Sequence, residues 1–132
     1  MKTTFTFILF GALLFVSCRE WRNEVLQPSV PSGAFQFTSY DRSGNIVDTG
    51  WLIINTEDPN NVSGLWELST QERGELRGSI ANGKVVIDLH PDMADNNFIL
   101  SGNLQGTTYI GEWEKIGIAG VMASGTFFAQ QQ

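Results

Sequence analysis

Cysteine is almost missing from this 132-residue chain: Cys18 is the single one. A lone thiol closes no disulfide within the chain and builds no cysteine-based metal site, so the folded part is held by its core. Histidine is equally scarce. His90 is the sole imidazole, which leaves one base for a Ser or Thr nucleophile, in a sequence without a Gly-x-Ser-x-Gly motif. Basic residues are few, eight Lys plus Arg against fourteen Asp plus Glu, for a net charge of −6. Such a surface repels phosphate backbones and anionic lipid, which makes nucleic acid a poor partner. Long apolar runs are missing too. The stretch Phe5 to Val16 is nearly unbroken, yet it falls short of the roughly 20 residues a membrane-spanning helix needs.

What that stretch does fit is a secretory signal: Met1-Lys2-Thr3-Thr4 carries one positive charge, an apolar segment follows, and small residues end it. A buried core helix is the alternative, but polar, Pro-containing sequence begins at once after it. The segment closes on Phe15-Val16-Ser17-Cys18. These four residues resemble the lipobox of bacterial lipoproteins, with Phe15 standing where Leu is usual. The resemblance implies cleavage before Cys18, a diacylglyceryl thioether on its sulfur and an acyl chain on the new amino terminus. Two or more chains anchor a protein stably where one does not.

Cleavage would leave residues 18–132, enough for one domain. Lys2 departs with the signal, so seven basic residues face fourteen acidic ones and the mature charge is −7. Residues 18–32 include Pro28 and Pro31 and show no period, which reads as a tether, semi-rigid near its prolines. Trp21 lies three residues past Cys18, where an indole suits the headgroup layer or stays in solvent. Arg19 follows the lipid site in place of the aspartate that retains some lipoproteins at the inner membrane. The expected address is the cell envelope, at the outer rather than the inner membrane.

From Gly33 onward the pattern has period 2, broken by turn residues, as in half-buried antiparallel strands. Eight are expected, at 33–40, 45–55, 62–69, 75–81, 84–89, 97–104, 107–114 and 118–129. Asn82-Gly83 is a type I′ hairpin turn. Short strands with tight connections predict an all-β domain over 33–132, an up-and-down meander closed into a small barrel; a two-sheet sandwich is the alternative. Phe35, Phe37, Val47, Trp51, Trp66, Leu68, Val85, Ile87, Leu89, Phe98, Leu100, Tyr109, Trp113 and Phe127 are expected to point inward, with Ile53 on the face of Trp51 and Val121 and Ala123 on the face of Phe127. Glu67, Glu75, Arg77, Lys84, Asp88 and Glu112 are expected on the outside, the reverse of a lipid-facing barrel.

Gly33-Ala34-Phe35, Gly64-Leu65-Trp66, Gly111-Glu112-Trp113 and Gly125-Thr126-Phe127 repeat a glycine two residues before an aromatic. Glycine lets a strand bend and leaves room for a ring over the backbone. In this pattern residues 33–129 resemble the calycins, the lipocalin-like and avidin-like barrels. The first strand has Phe35 where lipocalins carry Trp, and no helix follows the last strand. The resemblance implies a shape and transfers no binding residue, and fold alone does not give function.

The chemistry expected of this chain is non-enzymatic, with no cofactor. His90, Asp92 and Asp95 share a loop, but turns gather polar residues anyway and no metal is assigned there. Paired carboxylates of a glycosidase would fall on the outward face. Asn61-Val62-Ser63 matches a glycosylation sequon with no expected use in bacteria. Two uses remain besides a disfavoured hydrolase. One is recognition of an envelope protein, in an inhibitor-like role, through loops such as 57–61 or 90–96. The other is a small apolar or aromatic ligand held at an open barrel end by Trp51, Trp66, Tyr109 and Trp113. The sequence leaves the partner and the oligomeric state open.

Overall fold

A computed structural model describes residues 32–58 and 60–132. The signal segment, Cys18, Trp21 and the tether up to residue 31 lie outside the described residues. The rest forms eight strands: β1 (Gly33–Asp41), β2 (Ile46–Asn55), β3 (Val62–Leu68), β4 (Arg73–Ala81), β5 (Lys84–Asp88), β6 (Asn97–Gln105), β7 (Thr108–Gly117) and β8 (Gly120–Gln131). Each pairs antiparallel with the next, and β1 pairs with β8, so the sheet is one closed barrel and not a sandwich. Closure leaves no free edge along which another chain could add a strand.

The turns follow from the residues that make them. Asn82 and Gly83 both have positive φ, 53° and 77°, as a type I′ turn requires. Between β1 and β2 the Asp41 carboxylate accepts from the amides of Ser43 and Asn45, at 2.8 and 2.9 Å, and from Asn45 Nδ2. Those bonds, led by the Asn45 side chain, hold the Asp41 carboxyl below its ordinary value of 3.8.

The interior is apolar and filled. Phe35, Phe37, Leu52, Val62, Leu76, Val85, Ile87, Leu100 and Ala129 are at most 1% exposed. At its centre Phe127 packs against Phe37 (centroids 6.0 Å apart) and edge-on against Tyr109 (4.7 Å). Burial pushes the Tyr109 hydroxyl far above its ordinary pKa, so it acts as a donor, to the carbonyls of Val85 (3.1 Å) and Leu100 (3.3 Å). Charges face outward on β3, β4, β5 and β7, at Glu67, Glu75, Arg77, Lys84 and Glu112.

Glycines set how tightly the barrel coils. A Cβ on Gly64 would run into the carbonyl of Ile53 on β2, and one on Gly111 into the carbonyl of Ser101 on β6. The ring-over-glycine contact expected along a strand is made across strands instead. Trp113 lies over its pairing partner Gly125, and Trp66 over its partner Gly74. Each indole then donates to a neighbouring carbonyl, Trp113 to Tyr40 (2.9 Å) and Trp66 to Glu75 (3.2 Å).

Three inward expectations fail on β2. Val47, Trp51 and Ile53 are exposed at 46, 44 and 51%, while Leu52 and Ile54 are buried. Trp51-Leu52-Ile53-Ile54 is apolar on both faces, so period alone cannot choose between them. Pairing chooses: Leu52 sits opposite Phe35 and Trp66, both inward. Val47 is the extra residue of a bulge between the pairs Ser39–Asp48 and Tyr40–Ile46. Val121 and Ala123, also expected inside, are exposed: both lie outside the Gly125–Gln131 stretch of β8 that β1 covers, and Met122 is the extra residue of a bulge between the pairs Lys115–Ala123 and Ile116–Val121, which turns Val121 outward.

Gly64→Ala is expected to destabilise the barrel by about 3 kcal/mol or more, the upper end for overpacking. A urea titration followed by tryptophan fluorescence measures this; a loss under about 1 kcal/mol would mean the strands do not approach so closely.

Candidate functional site

The four aromatics expected to share a pocket do not converge on one, although Trp51 and Trp66 both line a hollow on β2, β3 and β4. Trp51 lies on the outer surface. Trp66, Tyr109 and Trp113 are 6, 1 and 4% exposed, and each has its polar atom satisfied by backbone carbonyls. Trp113 stacks on Phe98 (5.2 Å, 10° between planes) and Trp66 meets His90 edge-on (5.2 Å). Three of the four are thus parts of the packed interior, and none faces an internal space with the others.

Antiparallel succession sorts the connections between two ends. One end holds the start of β1, the end of β8 and the turns 55–62, 81–84 and 105–108. The other, called here the loop end, holds the connections 41–46, 68–73, 88–97 and 117–120. Of the ten large apolar side chains exposed among the described residues, six sit at the loop end: Ile46, Val47, Met93, Ile118, Val121 and Met122. Ile118 is 87% exposed, at the tip of the β7–β8 hairpin, where polar residues usually gather. Sequence reasoning counted this hairpin as part of the last strand. The signal available was Gly117-Ile118-Ala119-Gly120-Val121-Met122, a turn with no polar side chain.

The loop-end mouth is polar. Asp48 faces inward above Gly50 and beside Ser39, whose hydroxyl accepts from the Asp48 amide (3.1 Å). Burial, then the negative charge of Glu72, raises the Asp48 carboxyl above 3.8, while Lys115 opposes the rise. A hollow of about 530 Å3 opens here, lined by Trp66, Glu72, His90, Met93 and Lys115 among others. A second, of about 540 Å3, lies beside the 41–46 turn near Trp113 and Ser124, where Arg42 donates to the Ser124 hydroxyl at 2.7 and 2.9 Å. A third, of about 480 Å3, runs along the outer face of β2, β3 and β4.

His90 is built into its loop. Its amide donates to Asp88 Oδ1 (2.8 Å), and its Nδ1 lies 2.8 Å from the Asn96 carbonyl. A carbonyl only accepts, so Nδ1 carries the proton in that contact. Asn97 Nδ2 donates to the other Asp88 oxygen (2.6 Å) and ties the loop to β6. Asp92 lies 3.7 Å from Arg77. Among the described residues no three His, Cys, Asp or Glu side chains gather to hold a metal.

Two outcomes follow from these placements. Trp113→Ala is expected to cost about 3–5 kcal/mol, as loss of a buried ring, while Trp113→Phe should lose about 1 kcal/mol with the bond to Tyr40; equilibrium unfolding of the two variants tests this, and a cost below about 1 kcal/mol for Trp113→Ala would remove the ring from the core. For Asp48, the folded carboxyl binds its proton more tightly than the unfolded one. Its ionisation therefore lowers stability as pH rises from 3.8 through the folded value. Asp48→Asn should be more stable than the parent at neutral pH, with the gain vanishing below 3.8, in melts across pH. A gain independent of pH would contradict the assignment.

No protein-family model matches this chain, and no curated protein matches it. Among solved structures it is similar to "Structure of EF1p2_mFAP2b bound to DFHBI", with TM-score 0.52 and 16% identity over 76% of this chain and 93% of that one. At that identity the likeness concerns the fold alone, a small closed antiparallel barrel.

Proposed function

We propose that this chain is a lipid-anchored, non-enzymatic lipoprotein of the bacterial envelope, whose loop end recognises another envelope protein in an inhibitor-like role. The observation that carries this reading is the combination of a filled interior with exposed apolar side chains at the loop end: Ile118, Val121 and Met122 on the 117–120 hairpin, and Ile46, Val47 and Met93 on or beside the otherwise polar connections 41–46 and 88–97. Apolar side chains exposed together on loops are characteristic of contact surfaces. Tyr109 and the two buried tryptophans are committed to the core, which leaves recognition to the surface. The anchor rests on the sequence alone, on Phe15-Val16-Ser17-Cys18 after an apolar segment.

A second reading is favoured by the mouth hollow of about 530 Å3, a size suited to a small molecule. A barrel of similar fold has been solved bound to DFHBI. In this reading a small aromatic or apolar ligand would rest on Trp66, His90 and Met93, at the mouth and not in the interior.

Photo-crosslinking in the native envelope separates the two readings. A crosslinker at Met122 should give a discrete protein adduct and one at Lys84, at the opposite end, none. Replacing Ile118, Val121 and Met122 with serine should abolish capture without changing the melting temperature. Equal adducts from both ends would overturn recognition through the loop end; a stoichiometric small molecule in native mass spectra would favour the mouth. The same spectra test the anchor: lipid mass on Cys18, and release from membranes in Cys18→Ser, are expected. An unmodified Cys18 would overturn it.

A further inference from the structure

The outer groove on β2, β3 and β4 is not absorbed by either reading. Its floor is Trp51, Ile53 and Leu65, exposed at 44, 51 and 53%. Ile53 and Leu65 are directly paired, and Trp51 is paired with Glu67, so the three apolar groups share one outward face. Glu67, Arg73 and Glu75 form its charged side. Contiguous apolar surface of this kind on a water-facing sheet calls for a cover.

We propose that residues 19–31 of this same chain cover it, folding back from the start of β1 onto the flank of the barrel. The segment starts at the rim of the barrel, at β1 between β2 and β8. Ser32 is held to Thr56, just past β2, by its hydroxyl (3.0 Å to Oγ1, and accepting from the Thr56 amide at 3.1 Å), and its carbonyl accepts from Gln131 Nε2 (3.2 Å). Trp51 is level with Gln36, four residues along β1 from Ser32, or about 13 Å of strand. Thirteen residues extend to roughly 43 Å, so the segment reaches the whole groove with length to spare.

The composition of the segment fits the groove. Trp21, Val25, Leu26 and Val30 supply apolar side chains, and Pro28 and Pro31 reduce the conformational freedom lost on docking. Arg19 and Arg22 suit Glu67, while Glu20 and Glu24 suit Arg73; Glu75 already has Arg77 at 3.8 Å. This docking requires no lipid and is independent of the envelope reading.

Cys18 is the sole thiol, so a nitroxide attached to it marks the far end of the segment alone. The chain from Cys18 to Gln132 contains every strand and is produced with 15N. Amides of β2, β3 and β4 around Trp51, Ile53 and Leu65 should broaden several-fold more than those of β6 and β7. Trp21→Ser, which alters no residue of the eight strands, should remove the difference, as should Trp51→Ser. Broadening confined to the end where β1 begins, or equal around the barrel, would overturn the proposal. So would broadening that appears only between a spin-labelled chain without 15N and a 15N chain without label, because a second copy would then be the cover.

Discussion

Everything in this barrel depends on one pairing, that of β1 with β8. It joins Phe35 to Gln131 at one end and Asp41 to Gly125 at the other, across nearly the whole described chain. Without disulfides, the closure is maintained by what it encloses. Phe37 and Phe127 meet on either side of the seam, and the Trp113 indole reaches over Gly125 to the Tyr40 carbonyl. Contacts so distant in sequence close a large loop before they return any stabilisation. The hairpins on either side must therefore already be in register when the seam forms.

Glycine is the residue that lets such a narrow ring exist. Inward positions on seven of the eight strands lack a side chain, and at Gly64 and Gly111 the neighbouring backbone occupies the place of a Cβ. The bulk removed there is restored by aromatic rings on adjacent strands, at Trp66 over Gly74 and Trp113 over Gly125. Packing and curvature are thus one feature, which is why these indoles are built into the core even where they border a hollow.

Much of this was legible in the sequence. Strand number, order and most inward faces follow from period 2 and from turn residues such as Asn82-Gly83, because one face of each strand is clearly apolar. The reading fails where that contrast is missing. Trp51-Leu52-Ile53-Ile54 offers two apolar faces, and only cross-strand partners decide between them. Val47 and Val121 depend on bulges and Ala123 on where a neighbouring strand stops, none of which leaves a periodic trace. The candidate pocket residues divide for a related reason: aromatic character is shared by core and site, so the set joins three buried rings to Trp51 on the surface. The loop-end surface was harder to see, since the mouth joins Asp48, Glu72 and Lys115 from three separate parts of the chain.

Recognition through surfaces, as proposed, follows from a full interior. That claim is tested most directly by dissolving xenon in the protein solution under pressure and following the methyl resonances of Leu52, Val85, Ile87 and Leu100. Apolar cavities of useful size take up xenon. A packed barrel should give small shifts that grow linearly with pressure. Saturable shifts confined to those methyls would reveal a hollow interior and contradict the account.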